Sequence, residues 1–413
     1  MEVKSINPAT GEQLKSVTST DLSEENLTKI FTTARQAQSQ WAELSFKERA
    51  KFIQKIKKVF VEHQEEAAEI VSITNGKTKV DAIQTEVVPS ILACDWYSSN
   101  SEKILKRQKI PNGSILFLNK ASYIEYVPVG VVGIISPWNY PLTIPFGETI
   151  MGLMAGNAII LKVATQSVLV GEFIEKVIKE SGLPNGLFTH VVASGSAFST
   201  ALLRHSVDKI FFTGSVDVGK QLMKQAADTL TPLSLELGGK DPMIVCADAD
   251  LERATNCAAW AGYQNAGQSC GGVERVYVHS SIYDKFVELL AAKTRALRHG
   301  NSTNPDKIDI GSLTTAAQLK LVTAHVDEAV RDGARIVAQS QTVGDVSNGF
   351  FYPATLVVNV NHKMRLMTQE TFGPVIPVMS FESIDEAIAL ANDSDLALTS
   401  SVPFFLFPFC CFH

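Results

Sequence analysis

Between residues 22 and 74 apolar side chains return at helical spacing, Phe52, Ile56, Val59 and Phe60 among them, and Ser23-Glu24-Glu25 supplies a helix start. A further helix is predicted over 80–105. The pattern changes at 107–127. Pro111-Asn112-Gly113-Ser114 is a turn signal, and 115–118 and 123–127 read as the strands of a projecting β-hairpin. From 129 onward short apolar runs alternate with amphipathic stretches. Strands are predicted at 131–135, 158–162, 188–192 and 209–212, and helices at 144–154, 168–181, 197–205 and 218–230. This rhythm implies an α/β fold with a parallel, doubly wound sheet covered by helices on both faces. It resumes after 241, so a second α/β unit is expected from about Lys240, ending in a helix over 384–392. The last eleven residues, 403–413, break the pattern: Phe404, Phe405, Phe407, Phe409 and Phe412 follow neither a helical nor a strand period. They read as a truncated or frame-shifted end.

The chain has 413 residues, 45% of them hydrophobic, which suits two to three domains. Its net charge of −6 and dispersed lysines and arginines offer no basic stripe for nucleic acid. Six cysteines show no C-x-x-C pair and no His-x-x-His accompanies them, so neither a metal site nor a disulfide framework is expected. No apolar run reaches the ~20 residues that span a bilayer, and the N-terminus has no apolar leader. A reducing, cytoplasmic setting fits, with no membrane or nucleic-acid partner.

Chemistry concentrates on a few positions. Cys270 stands among small residues in Asn265-Ala266-Gly267-Gln268-Ser269-Cys270-Gly271-Gly272, open to an electrophile, although a free cysteine more often simply packs. Glu236, 34 positions upstream in Leu235-Glu236-Leu237-Gly238-Gly239-Lys240, is a carboxylate that partial desolvation could raise toward a useful base. Asn139, held in Pro137-Trp138-Asn139-Tyr140-Pro141, offers a rigid amide to an oxyanion, or caps its own turn. Lys162 ends a predicted strand, where ligands of parallel sheets gather; a solvated lysine is the plain alternative. Gly214-Ser215 and Gly219 form a strand-to-helix turn able to present N–H groups to phosphate, but Gly214-x4-Gly219 is not the dinucleotide fingerprint, and easing the packing accounts for the glycines equally well. Glu370-Thr371-Phe372-Gly373-Pro374 pairs a carboxylate with an aromatic ring.

The order Pro-Trp-Asn, Lys162, Phe-Thr-Gly-Ser-x4-Gly, Glu-Leu-Gly-Gly-Lys, Gly-Gln-x-Cys and Glu-Thr-Phe-Gly-Pro resembles the NAD(P)-dependent aldehyde dehydrogenase superfamily. Asn7-Pro8-Ala9-Thr10-Gly11-Glu12 matches its usual start, and the resemblance runs from about residue 5 to about 402. It implies a Rossmann-type cofactor domain (1–106 and 128–239), an oligomerisation hairpin (107–127), a catalytic domain (240–402) and the atypical tail (403–413). Cys270 would be the nucleophile, Asn139 and the Cys270 N–H the oxyanion donors, and Glu236 the activator of water. Glu370 would bind the nicotinamide ribose with Phe372 beside it. Trp138, Lys162, Thr165, Gly214, Ser215, Gly219 and Leu237 would line the rest of an NAD or NADP site. Small aldehydes such as succinate semialdehyde or betaine aldehyde are the implied substrates.

Two departures stand out. Thr165 occupies a position where many NAD-preferring members carry glutamate, so NADP is expected to be tolerated. Members normally continue well past residue 402, which puts the family's homodimer or homotetramer, and the activity of this chain, in doubt. A non-catalytic structural or binding protein on the same fold, or an inactive truncated product, is the alternative. A CoA-acylating enzyme is disfavoured by the presence of Glu236.

Overall fold

The computed structural model describes residues 2–301 and 308–403. Two apolar cores organise them. In the first, Val131–Ile135 and Ala158–Lys162 are buried at every position, as central strands covered on both faces must be. Five parallel strands run in the order Phe188–His190, Ala158–Lys162, Val131–Ile135, Lys209–Thr213, Leu233–Glu236. The chain enters at the centre, winds outward, then crosses back, so strand order reverses between Val131–Ile135 and Lys209–Thr213. A cleft at the carboxyl ends of the strands beside that switch point is where such sheets hold ligands.

The predicted helical region at 22–74 is three helices, Glu24–Ala42, Phe46–Glu62 and Gln64–Asn75. Ser45 and Glu48 close a capping box between the first two, which fixes the break. The region 80–105 is Lys79–Ala82, a π-helical turn at Ile83–Val87, and Val88–Ile104. The turn buries Glu86 completely, and such insertions often mark functional regions.

The second core surrounds the sheet Pro242–Val245, Arg275–His279, Val375–Phe381, Thr355–Val358, Arg335–Gln339, parallel except for its last, antiparallel pair. At the opposite edge Ser401 bridges Met243, with Ser401 N–H donating to Pro242 O at 3.0 Å. The helix Ile384–Asn392 has the predicted bounds. Of the tail, residues 404–413 lie outside the described residues.

The hairpin differs from the expectation in its first arm. Gln108–Ile110, not 115–118, pairs with Ser122–Ile124, in the register Gln108 to Ile124 and Ile110 to Ser122. Ile115–Phe117 is a 3-10 turn at the tip. The Ser114 hydroxyl accepts from Leu116 N–H, and Asn112 donates across the loop to Lys120 O, which favours a long loop over a tight turn. Polar Gln108 and Lys109 concealed the true strand, while Ile115, Leu116 and Leu118 stand at least 70% exposed.

Between the cores lies a buried polar knot. Lys77 Nζ pairs with Glu86 Oε1 at 2.6 Å, and both side chains are fully buried. Glu86 Oε2 accepts the N–H groups of Leu142 and Thr143 at 3.0 and 2.8 Å, tying down the start of the helix Thr143–Met154. Removing one member of a buried pair strands the other charge, so Glu86→Ala is expected to destabilise the fold by about 3–5 kcal/mol. Denaturant unfolding at neutral pH checks this; a loss under about 1 kcal/mol, the scale of an exposed pair, would show that Lys77 has another way to be satisfied.

Candidate active site

The cysteine loop begins where the helix Leu251–Tyr263 ends. Asn265, Ala266 and Gly267 all take left-handed backbone conformations, with φ of 54°, 53° and 69°. At Gly267 a side chain is impossible for a second reason, because a Cβ would collide with the backbone of Gly373. Such strain persists only where surroundings impose it. Here Asn265 Nδ2 donates to Gln268 O and Asn139 O, Gln268 Nε2 donates to Asn265 O, and Gln268 Oε1 accepts from Thr314 N–H at 2.9 Å. The knot delivers Cys270 half-buried to the cleft.

Asn139 is buried, and its Nδ2 donates to Gln268 O at 3.1 Å, two residues before Cys270. An amide nitrogen carries two hydrogens, so one remains for an oxygen held at the Cys270 sulfur. The carbonyl of Asn139 is fixed in turn by Lys77 Nζ at 3.0 Å and Asn265 Nδ2 at 3.0 Å.

Burial raises the Cys270 thiol above its ordinary range. The N–H groups of Gly271 and Cys270 pull it back, and the charges of Asp241 and Glu370 push it up again. Cys270 therefore rests as a neutral thiol. Glu236 ends the strand Leu233–Glu236, paired in register with Thr213. The expected desolvation of Glu236 is not found: the residue is exposed, because it sits past the last covered position of an edge strand. The carboxyl pushed up to about 7 in the cleft wall is Glu370, by burial first and the charge of Glu274 second, while the Gly239 N–H opposes.

Glu370 and Phe372 are held from below. Lys240 and Glu274 form a buried pair at 2.6 Å, and Glu274 accepts Thr371 N–H at 2.8 Å and Phe372 N–H at 2.9 Å. Gln318 donates to the carbonyls of Thr371 and Phe372. The Phe372 ring meets Trp138 edge-on at 5.6 Å. A Cβ at Gly238 would strike the Glu370 carboxylate, which explains the first glycine of the Gly-Gly turn.

These groups converge on one cleft of about 310 Å³, lined among others by Trp138, Asn139, Gly214, Ser215, Glu236, Leu237, Cys270, Glu370 and Phe372. Gly214 and Ser215 precede the helix Val216–Ala227, whose N-cap Ser215 makes no side-chain capping bond, leaving first-turn N–H groups for an anion. Gly219 is buried, and a Cβ there would press on Leu237. Lys162 ends its strand buried, pushed down to about 8 by desolvation, and Thr165 is exposed in the turn that follows. Lys162, Thr165 and Gly219 thus lie outside the lining of this cleft. The anion-receptive helix start, the glycine turn and the carboxyl of Glu370 fit a dinucleotide.

Sequence reasoning missed Asn75, Lys77, Glu86, Asn265, Gln268, Glu274 and Gln318 as supports, and Glu148 as a buried carboxyl beside the site. Lys240 stood in a quoted motif without a role. Polar residues inside otherwise apolar helices, Glu86 and Glu148 above all, were the available signal.

A thiol, an amide donor and a carboxylate meeting at the switch point of a dinucleotide-type sheet define a site of oxidoreductase type. Comparison with known proteins agrees. The aldehyde dehydrogenase family model matches residues 1–403. The chain is 35% identical over 372 residues to 4,4'-diapolycopene aldehyde oxidase of Methylomonas sp, covering 90% of this chain and 68% of that protein. It is 31% identical over 403 residues to 3,6-anhydro-alpha-L-galactose dehydrogenase of Vibrio sp. strain EJY3, covering 96% and 82%. Lactaldehyde dehydrogenase from Escherichia coli superposes with a TM-score of 0.91 at 32% identity, over 98% of this chain and 83% of that one. An NAD+ complex of aldehyde dehydrogenase from Bacillus cereus gives 0.91 at 32%, over 98% and 81%. The chain belongs to the aldehyde dehydrogenase family, whose members oxidise aldehydes with NAD(P).

A raised thiol makes a prediction about reactivity. Alkylation of Cys270 by iodoacetamide, followed by mass spectrometry, is expected to be slow at pH 7 and to climb steadily into the alkaline range as thiolate forms. A rate already at its plateau at pH 7 would show that the thiol is depressed rather than raised.

Proposed function

We propose that Cys270 is the nucleophile of an NAD(P)-dependent aldehyde dehydrogenase that releases a carboxylic acid by hydrolysis. The observation that supports this most is the meeting of Cys270, the free N–H of Asn139 and exposed Glu236 in one cleft with Glu370 and the Gly214-Ser215 turn. The neutral thiol first loses its proton to Glu236, the solvent-accessible base, and exposed Glu236 passes that proton to solvent and is a carboxylate again before hydrolysis. The thiolate bonds to the aldehyde carbon, and the carbonyl oxygen takes the electron pair. The Asn139 amide and the Cys270 N–H hold that oxyanion, a service worth about 10²–10³ in turnover per donor. When bound, the nicotinamide supplies the acceptor for the hydride lost from the thiohemiacetal carbon, leaving a thioester on Cys270. Glu236 then takes a proton from water as the water oxygen bonds to the acyl carbon. The carbon–sulfur bond breaks, the acid departs and the thiolate returns.

Glu370 is assigned to the nicotinamide ribose, with Phe372 and Trp138 flanking it. Gly214, Ser215 and Leu237 are assigned to the pyrophosphate and adenosine side, with Lys162, Thr165 and Gly219 in its surroundings. Exposed Thr165 places no charge against a 2′-phosphate, which supports use of both NAD and NADP. The substrate is a small aldehyde of undefined identity; succinate semialdehyde and betaine aldehyde remain the named candidates. The exposed hairpin is assigned to assembly of a homodimer or homotetramer.

Cys270→Ala is expected to abolish NAD(P)H formation with propanal while cofactor binding, read by protein fluorescence, stays near wild type. Retention of more than a few per cent of turnover would move the nucleophile elsewhere. Glu236→Gln should keep the pre-steady-state burst and lose the turnover after it; equal loss of both would confine Glu236 to deprotonating the thiol.

Cofactor choice gives an independent check. Thr165→Glu should weaken NADP selectively, since a carboxylate repels the 2′-phosphate at short range. An equal change in KM for NAD and NADP would place the 2′-phosphate elsewhere.

A further inference from the structure

The helix Thr143–Met154 carries one acidic side chain, half-buried Glu148, which reaches Thr213 at the carboxyl end of the strand Lys209–Thr213. Thr213 Oγ1 donates to Glu148 Oε1 at 3.4 Å. Glu148 Oε2 is buried without a hydrogen-bond partner, and so is the nearby Ser136 hydroxyl. Thr213 pairs in register with Glu236 and lines the cleft beside it. The Thr213 hydroxyl thus bonds one carboxylate, Glu148, while its strand register and the shared cleft wall set it next to a second, Glu236.

A buried, half-satisfied carboxylate costs free energy unless it is protonated. Burial accordingly raises Glu148 to about 7; the Thr213 hydroxyl, which bonds it, pulls it down and the charge of Glu236 pushes it up, while Ser136 lies near without a hydrogen bond of normal geometry. From the helix Val88–Ile104 the phenol of Tyr97 faces it and is itself raised, by burial and then by Glu148. The Lys77–Glu86 pair near the start of its own helix and the Lys57–Asp95 pair are each closed on themselves. No cation pairs with Glu148 among the described residues. A carboxyl that titrates near neutrality populates both forms at neutral pH, as proton transfer in both directions requires.

We propose that Glu148 is the proton acceptor behind Glu236, receiving through the Thr213 hydroxyl the proton that Glu236 takes from water. This rests on the assignment of Glu236 as the base of hydrolysis. Glu236 faces a cleft that substrate and cofactor fill, so its proton has a path inward when the mouth is covered. In the step, protonated Glu236 gives its proton to the Thr213 oxygen as Thr213 gives its own to ionised Glu148. Glu236 returns to carboxylate, Glu148 becomes the neutral acid, and no electrons change hands. Glu148 loses the proton to solvent once the cleft empties. It acts on the reaction through Glu236 and is a positioning residue for the proton, not a group that touches substrate.

The test compares wild type with Glu148→Gln and Thr213→Val. By infrared difference spectroscopy the wild type is expected to show protonated-carboxyl C=O intensity titrating near pH 7 from both Glu148 and Glu370; Glu148→Gln should remove one component and leave that of Glu370, and Thr213→Val should keep both. With NAD and propanal, both variants should keep the burst, and turnover after it should fall about tenfold or more. The near-neutral limb of the turnover–pH profile should vanish in Glu148→Gln, and Glu148→Asp should restore part of it. A wild-type burst-to-turnover ratio and pH limb in Glu148→Gln would overturn the proposal, as would an infrared band unchanged by that substitution. If Glu148→Gln does not fold, Thr213→Val decides on the same ratio. Glu236→Gln separates the two failures. If it leaves deacylation intact, the reading of Glu236 falls; if it blocks deacylation while Glu148→Gln behaves as wild type, only the role of Glu148 falls.

Discussion

The backbone carbonyl of Asn139 is the point on which the site hangs. Lys77 Nζ and Asn265 Nδ2 each donate to it at 3.0 Å, and Asn75 Nδ2 donates to the neighbouring carbonyl of Trp138 at 2.8 Å. Lys77 and Asn75 come from the first core, Asn265 from the cysteine loop of the second. A single oxygen thus fixes Asn139, the Cys270 loop and the seam between the two cores. Its energetic weight comes from burial: in a low-dielectric interior each satisfied bond is strong, and each lost one leaves a group unpaired.

The seam itself is polar where it guides and tight where it closes. Thr314 Oγ1 donates to Asn75 O at 2.7 Å, and Ser312 N–H donates to Gly76 O at 3.1 Å. Gly76 has φ of 93°, and a Cβ there would strike Ser312, so Asn75-Gly76-Lys77 can dock only with glycine in the middle. Cys270 and Glu370 belong to the second core, whereas Asn139 and Glu236 belong to the first. The cleft that gathers these four side chains therefore exists only while this docking holds. Its register is set by directional bonds rather than by apolar area alone.

How much of this was legible follows from where the information sits. Strands such as Val131–Ile135 and Ala158–Lys162 were plain, since a short, continuous apolar run between turn signals suits a strand buried on both faces and little else. The motif residues lining the cleft, Asn139, Glu236, Cys270 and Glu370, were visible because unusual neighbours surround them. The hairpin arm was misplaced because strand pairing there depends on a partner and on Asn112 bridging to Lys120, not on local alternation. Glu236 was expected to be desolvated from its apolar neighbours, yet its place on an edge strand decides its exposure. The supports Asn75, Lys77, Glu86 and Gln268 were hidden, because what identifies them is a partner 9 to 239 residues away.

Electrostatics adds the last constraint. Glu148, Glu236 and Glu370 crowd one end of the sheet, and the Cys270 thiol lies in the same field. Like charges in a poorly solvated place cannot all ionise together. The structure resolves the conflict by position: Glu236 is exposed, while half-buried Glu148 and Glu370 are pushed to about 7. Lys240, the nearest buried cation, is committed to Glu274 and relieves Glu370 only at a distance. The thiol is raised by the same burial. The resting site is thereby held short of full negative charge, which makes it receptive to an anionic dinucleotide. On the proposed mechanism, charge would develop on sulfur and on a substrate oxygen beside the Asn139 amide and the Cys270 N–H. The burial that keeps the thiol protonated is therefore also what limits the negative charge that an arriving anion would meet.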